Sequence, residues 1–169
     1  GLCKYKNGMF TQIGEKQTMT QSIAPYDQTH LLVTYQDSIG LLNMNTLERK
    51  SVCEINNTFQ ISSLFYDNKG EVLWIGTSTD GLFYLDMQKK SLLPFSDFPK
   101  QPIGVITESS DSTLLVGIDG QGVWELDKDK KTVLNILKED IDNPFSLRGD
   151  GVYDIYCDGK QRVWVTTYT

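Results

Sequence analysis

Reactive side chains are thinly spread along the 169 residues. His30 is the only histidine, and Cys3, Cys53 and Cys157 are widely spaced with no CxxC pair. A zinc centre needs three or four clustered nitrogen and sulfur ligands, so one histidine and scattered thiols imply no metal and no cofactor. An odd thiol count leaves at least one cysteine free, and all three read as strand residues packed as small apolar groups. Gly117–Val123, GIDGQGV, has the look of a phosphate-cradling loop, but it joins two β-forming runs where such a loop should open a helix. A hairpin turn is the better reading. Asp67, Asp119, Asp127, Asp129 and Asp158 punctuate turns, and a calcium loop would need denser oxygen donors. His30 abuts a strand and reads as a rim residue. Arg148-Gly149-Asp150 is an adhesion-like tripeptide by chance, and the Asn56-Asn57-Thr58 sequon is given no weight.

These residues sit on elements with one repeating design. In VLWIGTSTDGLFYLD, the β-formers Val72–Ile75 and Leu82–Leu85 flank Ser78-Thr79-Asp80-Gly81, which is turn chemistry closed by glycine. The glycine opening the second run recurs at Gly1, Gly40, Gly81 and Gly122, at intervals of 39, 41 and 41 residues. Leu32, Trp74, Leu115 and Trp164 occupy equivalent places in the preceding run. The long last interval contains KEDIDNPFSLRGDG, a stretch rich in turn formers. Turn signals every 8 to 12 residues, without sustained helical periodicity, predict an all-β chain. Thr132–Leu137 is apolar, β-branched and too short for a helix, so 132–141 too reads as strand.

Four short strands per unit of about 40 residues is the arithmetic of a β-propeller blade. The expected blades are residues 20–56, 57–99 and 100–149, with strands three and four of a split blade at 1–19 and strands one and two at 150–169. Six to eight blades would need about 240 to 330 residues. The chain is therefore either part of a larger propeller or a small ring of about four blades. Trp74, Ile75 and Leu82 are expected to seal the seams between blades, while Gly76 and Gly81 permit close backbone approach.

LWIGTSTDGLFYLD, with NPFSLRGDGVYDIYCDGKQRVWVTT, resembles the two-component regulator propeller repeat. Asn143, Pro144, Ser146 and Leu147 match its lead-in, Asp158 and Trp164 its next landmarks, and Trp74, Ile75, Gly76, Thr77, Gly81 and Leu82 its hairpin. Departures are LLVTYQDSIGLL in the first full blade, Leu115 in place of Trp, and Val-Thr-Thr after Trp164 where Ile-Gly-Thr is usual. The resemblance implies a periplasmic sensor segment of a Bacteroides-type hybrid two-component protein. There, propellers precede a membrane helix, a histidine kinase, a receiver and a DNA-binding domain, and many respond to oligosaccharides to switch on carbohydrate-use genes. It implies an oligosaccharide ligand, neighbouring blades of the parent chain and a second copy as partners, with no catalysis in the segment. Membrane attachment would come only through the parent's transmembrane helix.

Composition agrees with a packed domain. Apolar residues make up 39% of the chain and aromatics 11%, which is globular, not disordered. A net charge of −6 disfavours nucleic acid and other polyanions. No apolar run approaches the ~20 residues of a membrane span, and no signal peptide is visible. A chain starting Gly1-Leu2 reads as a segment of a longer protein.

A ligand is expected where propeller loops converge, at the turns joining strands two and three and at the links between blades. Planar amides, carboxylates and aromatic faces suit a sugar. The candidates from the first set are Gln36, Asp37, Thr79, Asp80, Asp119 and Gln121; those from the second are Asn57, Phe59, Gln101, Asn143, Phe145 and Arg148. Two other readings stay open: a spacer or dimerisation propeller, and a propeller enzyme such as a lyase or glycosidase. The enzyme would require clustered His, Glu or paired carboxylates on one face.

Overall fold

The computed structural model describes residues 1–14, 19–36, 38–55, 59–160 and 162–168. Every named element is a strand, and each strand pairs antiparallel with its sequence neighbour. The chain forms two compact units, Gly1–Ile61 and Ser62–Thr169.

In the first unit, β1 (Leu2–Lys6) and β2 (Met9–Ile13) form a two-stranded sheet. A four-stranded sheet follows: β3 (Ile23–Pro25), β4 (His30–Tyr35), β5 (Ser38–Asn43) and β6 (Arg49–Glu54). Leu32, Val33 and Ile39 are its fully buried residues on the two central strands. Cys3 is exposed, contrary to the packed thiol expected of it, because β1 belongs to a two-stranded sheet whose residues are mostly open to solvent. Cys53 and Cys157 are half-buried free thiols.

The second unit continues the pattern with β7 (Ile61–Asp67, whose first residue closes the first unit), β8 (Val72–Thr77), β9 (Leu82–Asp86) and β10 (Ser91–Pro94). Then come β11 (Ile103–Ser110), β12 (Thr113–Ile118), β13 (Gly122–Asp127) and β14 (Thr132–Leu137), and finally the pair β15 (Gly151–Cys157) and β16 (Val163–Tyr168). Each sheet is a meander with its strands side by side in chain order. β8 and β12 are buried almost end to end, since a central strand covered on both faces has no polar side to offer. β14 carries Val133, Leu134, Ile136 and Leu137, and all six of its residues are exposed.

Two apolar clusters bind successive sheets of this unit. Trp74 and Leu82 of one sheet pack with Ile103, Ile106, Leu114, Val116, Ile118 and Leu126 of the next, joined by Phe95 and Phe98 from the connection. Phe98 meets Trp124 edge-on at 5.0 Å. The second cluster joins Leu115 and Val123 to Val152 and Ile155. Each fully buried side chain of this size contributes about 1.5–3 kcal/mol. The buried Trp74 Nε1 has no hydrogen-bond partner among the described residues, at a cost of about 1–3 kcal/mol. The buried area of the indole outweighs that cost, so packing decides the position.

The seam is also polar. Ser62 Oγ donates to the Ile103 carbonyl (2.7 Å), and Lys69 pairs with Asp111 (2.5 Å), each bond crossing from one sheet to the next. Gly76 lets the next sheet approach closely: a Cβ there would lie 2.7 Å from Ile103 Cγ2. Gly81 and Gly122 both adopt positive φ, +82° and +75°. A Cβ on Gly81 would stand 2.9 Å from the Pro99 carbonyl oxygen, so the recurring glycine answers both a backbone and a space requirement.

Trp164 departs from the expected equivalence of the four repeat positions. Leu32, Trp74 and Leu115 are buried, but Trp164 is 58% exposed. Its strand lies in a two-stranded sheet, and the indole Nε1 reaches only to Asp158, at 3.4 Å.

Candidate ligand-binding site

The turn acids beside the strands serve structure first. Asp27 accepts from the Thr29 and His30 amides and from His30 Nδ1 (3.0 Å), and His30 Nε2 lies 3.2 Å from Asn43 Nδ2. The Thr29 amide leads the bonds that hold the Asp27 carboxyl at about 2. With Nδ1–H donated to Asp27, Nε2 accepts from Asn43, so His30 ties the β3–β4 turn to the end of β5. Asp67 does more than cap its turn: it is buried, and its Oδ1 lies 3.2 Å from the buried Lys128 ammonium, which also pairs with Glu108. Burial alone would lower the Lys128 pKa; the Glu108 and Asp67 carboxylates overturn that and leave it above 10.5.

At the other end of the strands, a chain of bonds assembles a rim on the second unit. Asp80 sits in the β8–β9 turn, its amide donating to Thr77 Oγ1 (2.9 Å) and its carboxylate accepting from Thr79 (2.7 Å). Gly81 of that turn abuts Pro99, in the connection that carries the exposed Gln101. Pro102, next to Gln101, accepts from the Asp119 amide (2.9 Å). The β12–β13 turn, Asp119 to Gln121, therefore stands beside that connection, and GIDGQGV is a hairpin turn as expected.

The long insertion closes the rim. Lys138 donates to Gln121 Oε1 (2.9 Å), the Gly122 amide to the Asp150 carbonyl (2.8 Å), and the Glu139 amide to Asp150 Oδ1 (2.7 Å). Within the insertion, Ser146 Oγ accepts from the Asp140 amide, Asn143 Oδ1 from the Phe145 amide, and the Pro144 carbonyl from Arg148 Nη2. These bonds fix a turn that holds Phe145 94% exposed and Ile141 93% exposed. Arg148-Gly149-Asp150 is no free tripeptide, since Gly149 is buried and both flanking side chains are bonded into the insertion.

Two residues that sequence reasoning passed over complete the site. Tyr168, ending β16, donates its hydroxyl to Asp119 Oδ1. Tyr153 lies at a register shift between Val152 and Asp154, a bulge that turns it outward beside Tyr168, with ring centroids 5.0 Å apart. Tyr168 is seated on glycine: Gly151 faces it in register, and a Cβ on Gly151 would overlap its ring. The Asp119 bond and burial raise the Tyr168 pKa, so the phenol stays protonated as a donor. The signal in the sequence is the pair Gly149 and Gly151 ahead of a strand whose partner ends in tyrosine.

The structure thus sets the turn carrying Asp119 and Gln121 beside the connection carrying Gln101, through the Asp119 amide's bond to the Pro102 carbonyl, with Asp80's turn abutting the same connection. Asn143, Phe145 and Arg148 enter through the insertion. Phe59 belongs to the first unit and is half-buried. Asp37 and Asn57 lie outside the described residues.

Comparison with known proteins adds to this geometry. Residues 146–169 match the family described as two component regulator propeller. Among solved structures, the chain is similar to the extracellular domain of the hybrid two component system BT4673 from B. thetaiotaomicron. The two share 18% identity at a TM-score of 0.76, over 96% of this chain and 23% of that one. A second structure of a BT4673 extracellular domain, there described as a one component system, gives 15% identity and a TM-score of 0.58, over 95% of this chain and 28% of that one. The chain therefore spans about a quarter of the length of those domains. A computationally designed protein, Ika4, is similar at 10% identity and a TM-score of 0.63, over 94% of this chain and 96% of that one. No curated protein matches the chain. The fold is all-β, with the four-stranded antiparallel blades of a β-propeller.

Proposed function

We propose that the chain is a non-catalytic ligand-recognition segment in the periplasmic sensor propeller of a hybrid two-component protein. On this reading it responds to an oligosaccharide, and the parent's kinase converts that signal into regulation of carbohydrate-use genes. The observation that carries the reading is the rim at the loop end of the blades: a planar amide held by Lys138, a carboxylate bonded to the exposed Tyr168, and the exposed Tyr153 packed against that ring. The family match at 146–169 supports it, because that stretch runs from the insertion into Tyr168. Asp119 and Asp150 each accept a hydrogen bond that builds the rim, which favours recognition over acid–base work.

Ile141 and Phe145 favour a second reading. A rigid turn that displays two large apolar side chains suits contact with a further blade or a second copy of the chain, making the segment a spacer or dimerisation element.

Calorimetric titration with an oligosaccharide panel, run in parallel on this chain and on the longer sensor region, tests the proposal. Saturable heat with both supports recognition by these blades. Heat with the longer region alone makes this segment a spacer, and turnover of any panel sugar overturns the non-catalytic reading.

A further inference from the structure

The rim carries a charge pattern that narrows its ligand. Asp119, Glu139, Asp140, Asp142 and Asp150 all lie on the β12–β13 turn or the insertion, against Lys138 and Arg148. Both cations are already engaged, Lys138 with Gln121 and Arg148 with the Pro144 carbonyl. Beside these groups stands an aromatic surface: Tyr153 is 65% exposed and Tyr168 44%, their planes inclined at 44°. Tyr168 is fixed from two sides, by the glycine seat at Gly149 and Gly151 and by its bond to Asp119. A tyrosine held this way loses little rotamer freedom when a ligand covers it, so its face is pre-organised.

Resting on the oligosaccharide reading, we infer that Tyr153 and Tyr168 form the stacking platform for a glycosyl ring that bears no acidic group. Asp119, with Oδ1 taken by Tyr168, offers Oδ2 to ligand hydroxyls or to an amino group. Carboxylate- or sulfate-bearing sugars are turned away by the surplus of rim carboxylates, whose repulsion is felt within about a Debye length of 8–10 Å. An amino group on the ring gains twice, from Asp119 and from the two π faces.

The test is isothermal titration of the 169-residue chain with three probes: a neutral gluco-oligosaccharide, a glucosamine oligomer and a galacturonic acid oligomer. The expected order is glucosamine, then neutral, with the acidic oligomer at least tenfold weaker. Tyr168→Ala should lose at least tenfold for the neutral probe. Tyr153→Ala, at an exposed bulge that leaves the Asp119–Tyr168 bond in place, should lose severalfold. Asp119→Asn should weaken the glucosamine oligomer most and the neutral probe less, narrowing the gap to the acidic oligomer. Acidic and neutral probes binding alike would overturn the ligand class. Glycan binding indifferent to both tyrosine variants would overturn the platform and leave the sensor reading standing. A folded chain that takes up none of the three would bring down the oligosaccharide reading with it.

Discussion

The Lys128 ammonium lies 3.2 Å from Asp67 Oδ1, although the two residues belong to successive sheets and both are buried. A buried ion pair is weak evidence for net stability, but removing Asp67 leaves the buried Lys128 with Glu108 as its one carboxylate partner. Asp67→Asn should therefore destabilise the chain by about 1–3 kcal/mol in urea unfolding, less than an unpaired buried charge would, because Glu108 still pairs with Lys128. The double variant Asp67→Asn with Lys128→Met should recover a large part of that loss. Additive effects of the two changes would show that the pair does not couple the sheets.

Trp74 and Trp164 hold equivalent repeat positions with opposite burial. Trp74→Ala should cost about 3–5 kcal/mol through the cavity it leaves. Trp164→Ala, at an exposed site, should stay within about 0.5 kcal/mol. Trp74→Phe should cost less than its volume change suggests, because it removes an indole N–H that has no hydrogen-bond partner among the described residues. Equal losses at the two alanine variants would contradict the packing described for the seam.

Acid should weaken the fold through its turn carboxylates. Asp27, Asp86, Asp127 and Asp158 are lowered chiefly by backbone amides, and Asp111 by its bond to Lys69. A folded pKa below the unfolded 3.8 contributes stability that is fully present above about pH 5 and lost as pH falls toward the folded value, about 2 for Asp27. Thermal midpoints measured from pH 7 to pH 2 should be nearly flat down to about pH 4.5 and then fall. A midpoint that rises on acidification would contradict this assignment.

The repeat was legible because it rests on local chemistry. Glycine at positive φ, β-branched and aromatic runs, and Asp-rich turns mark each hairpin without reference to any neighbour. What depends on the neighbouring sheet was not legible. Trp164 carries the same local pattern as Trp74 and differs only in what packs against it. Lys128 sits in a Lys-Asp-Lys-Lys turn that reads as solvated, and its burial requires Asp67 from another sheet. At the rim, Asp119 and Gln121 were readable as turn polar groups. Tyr153 and Tyr168 were not, because a tyrosine on a strand reads as a β-former until a bulge and a glycine seat turn it outward.

The most direct test of the rim as the ligand-facing surface is amide chemical-shift mapping of the chain while it is titrated with the neutral gluco-oligosaccharide. Perturbations should gather at residues 119–121, 138–153 and 168. Perturbations gathered instead at the opposite strand ends, in the turns around Asp111 and Gly159, would contradict the account.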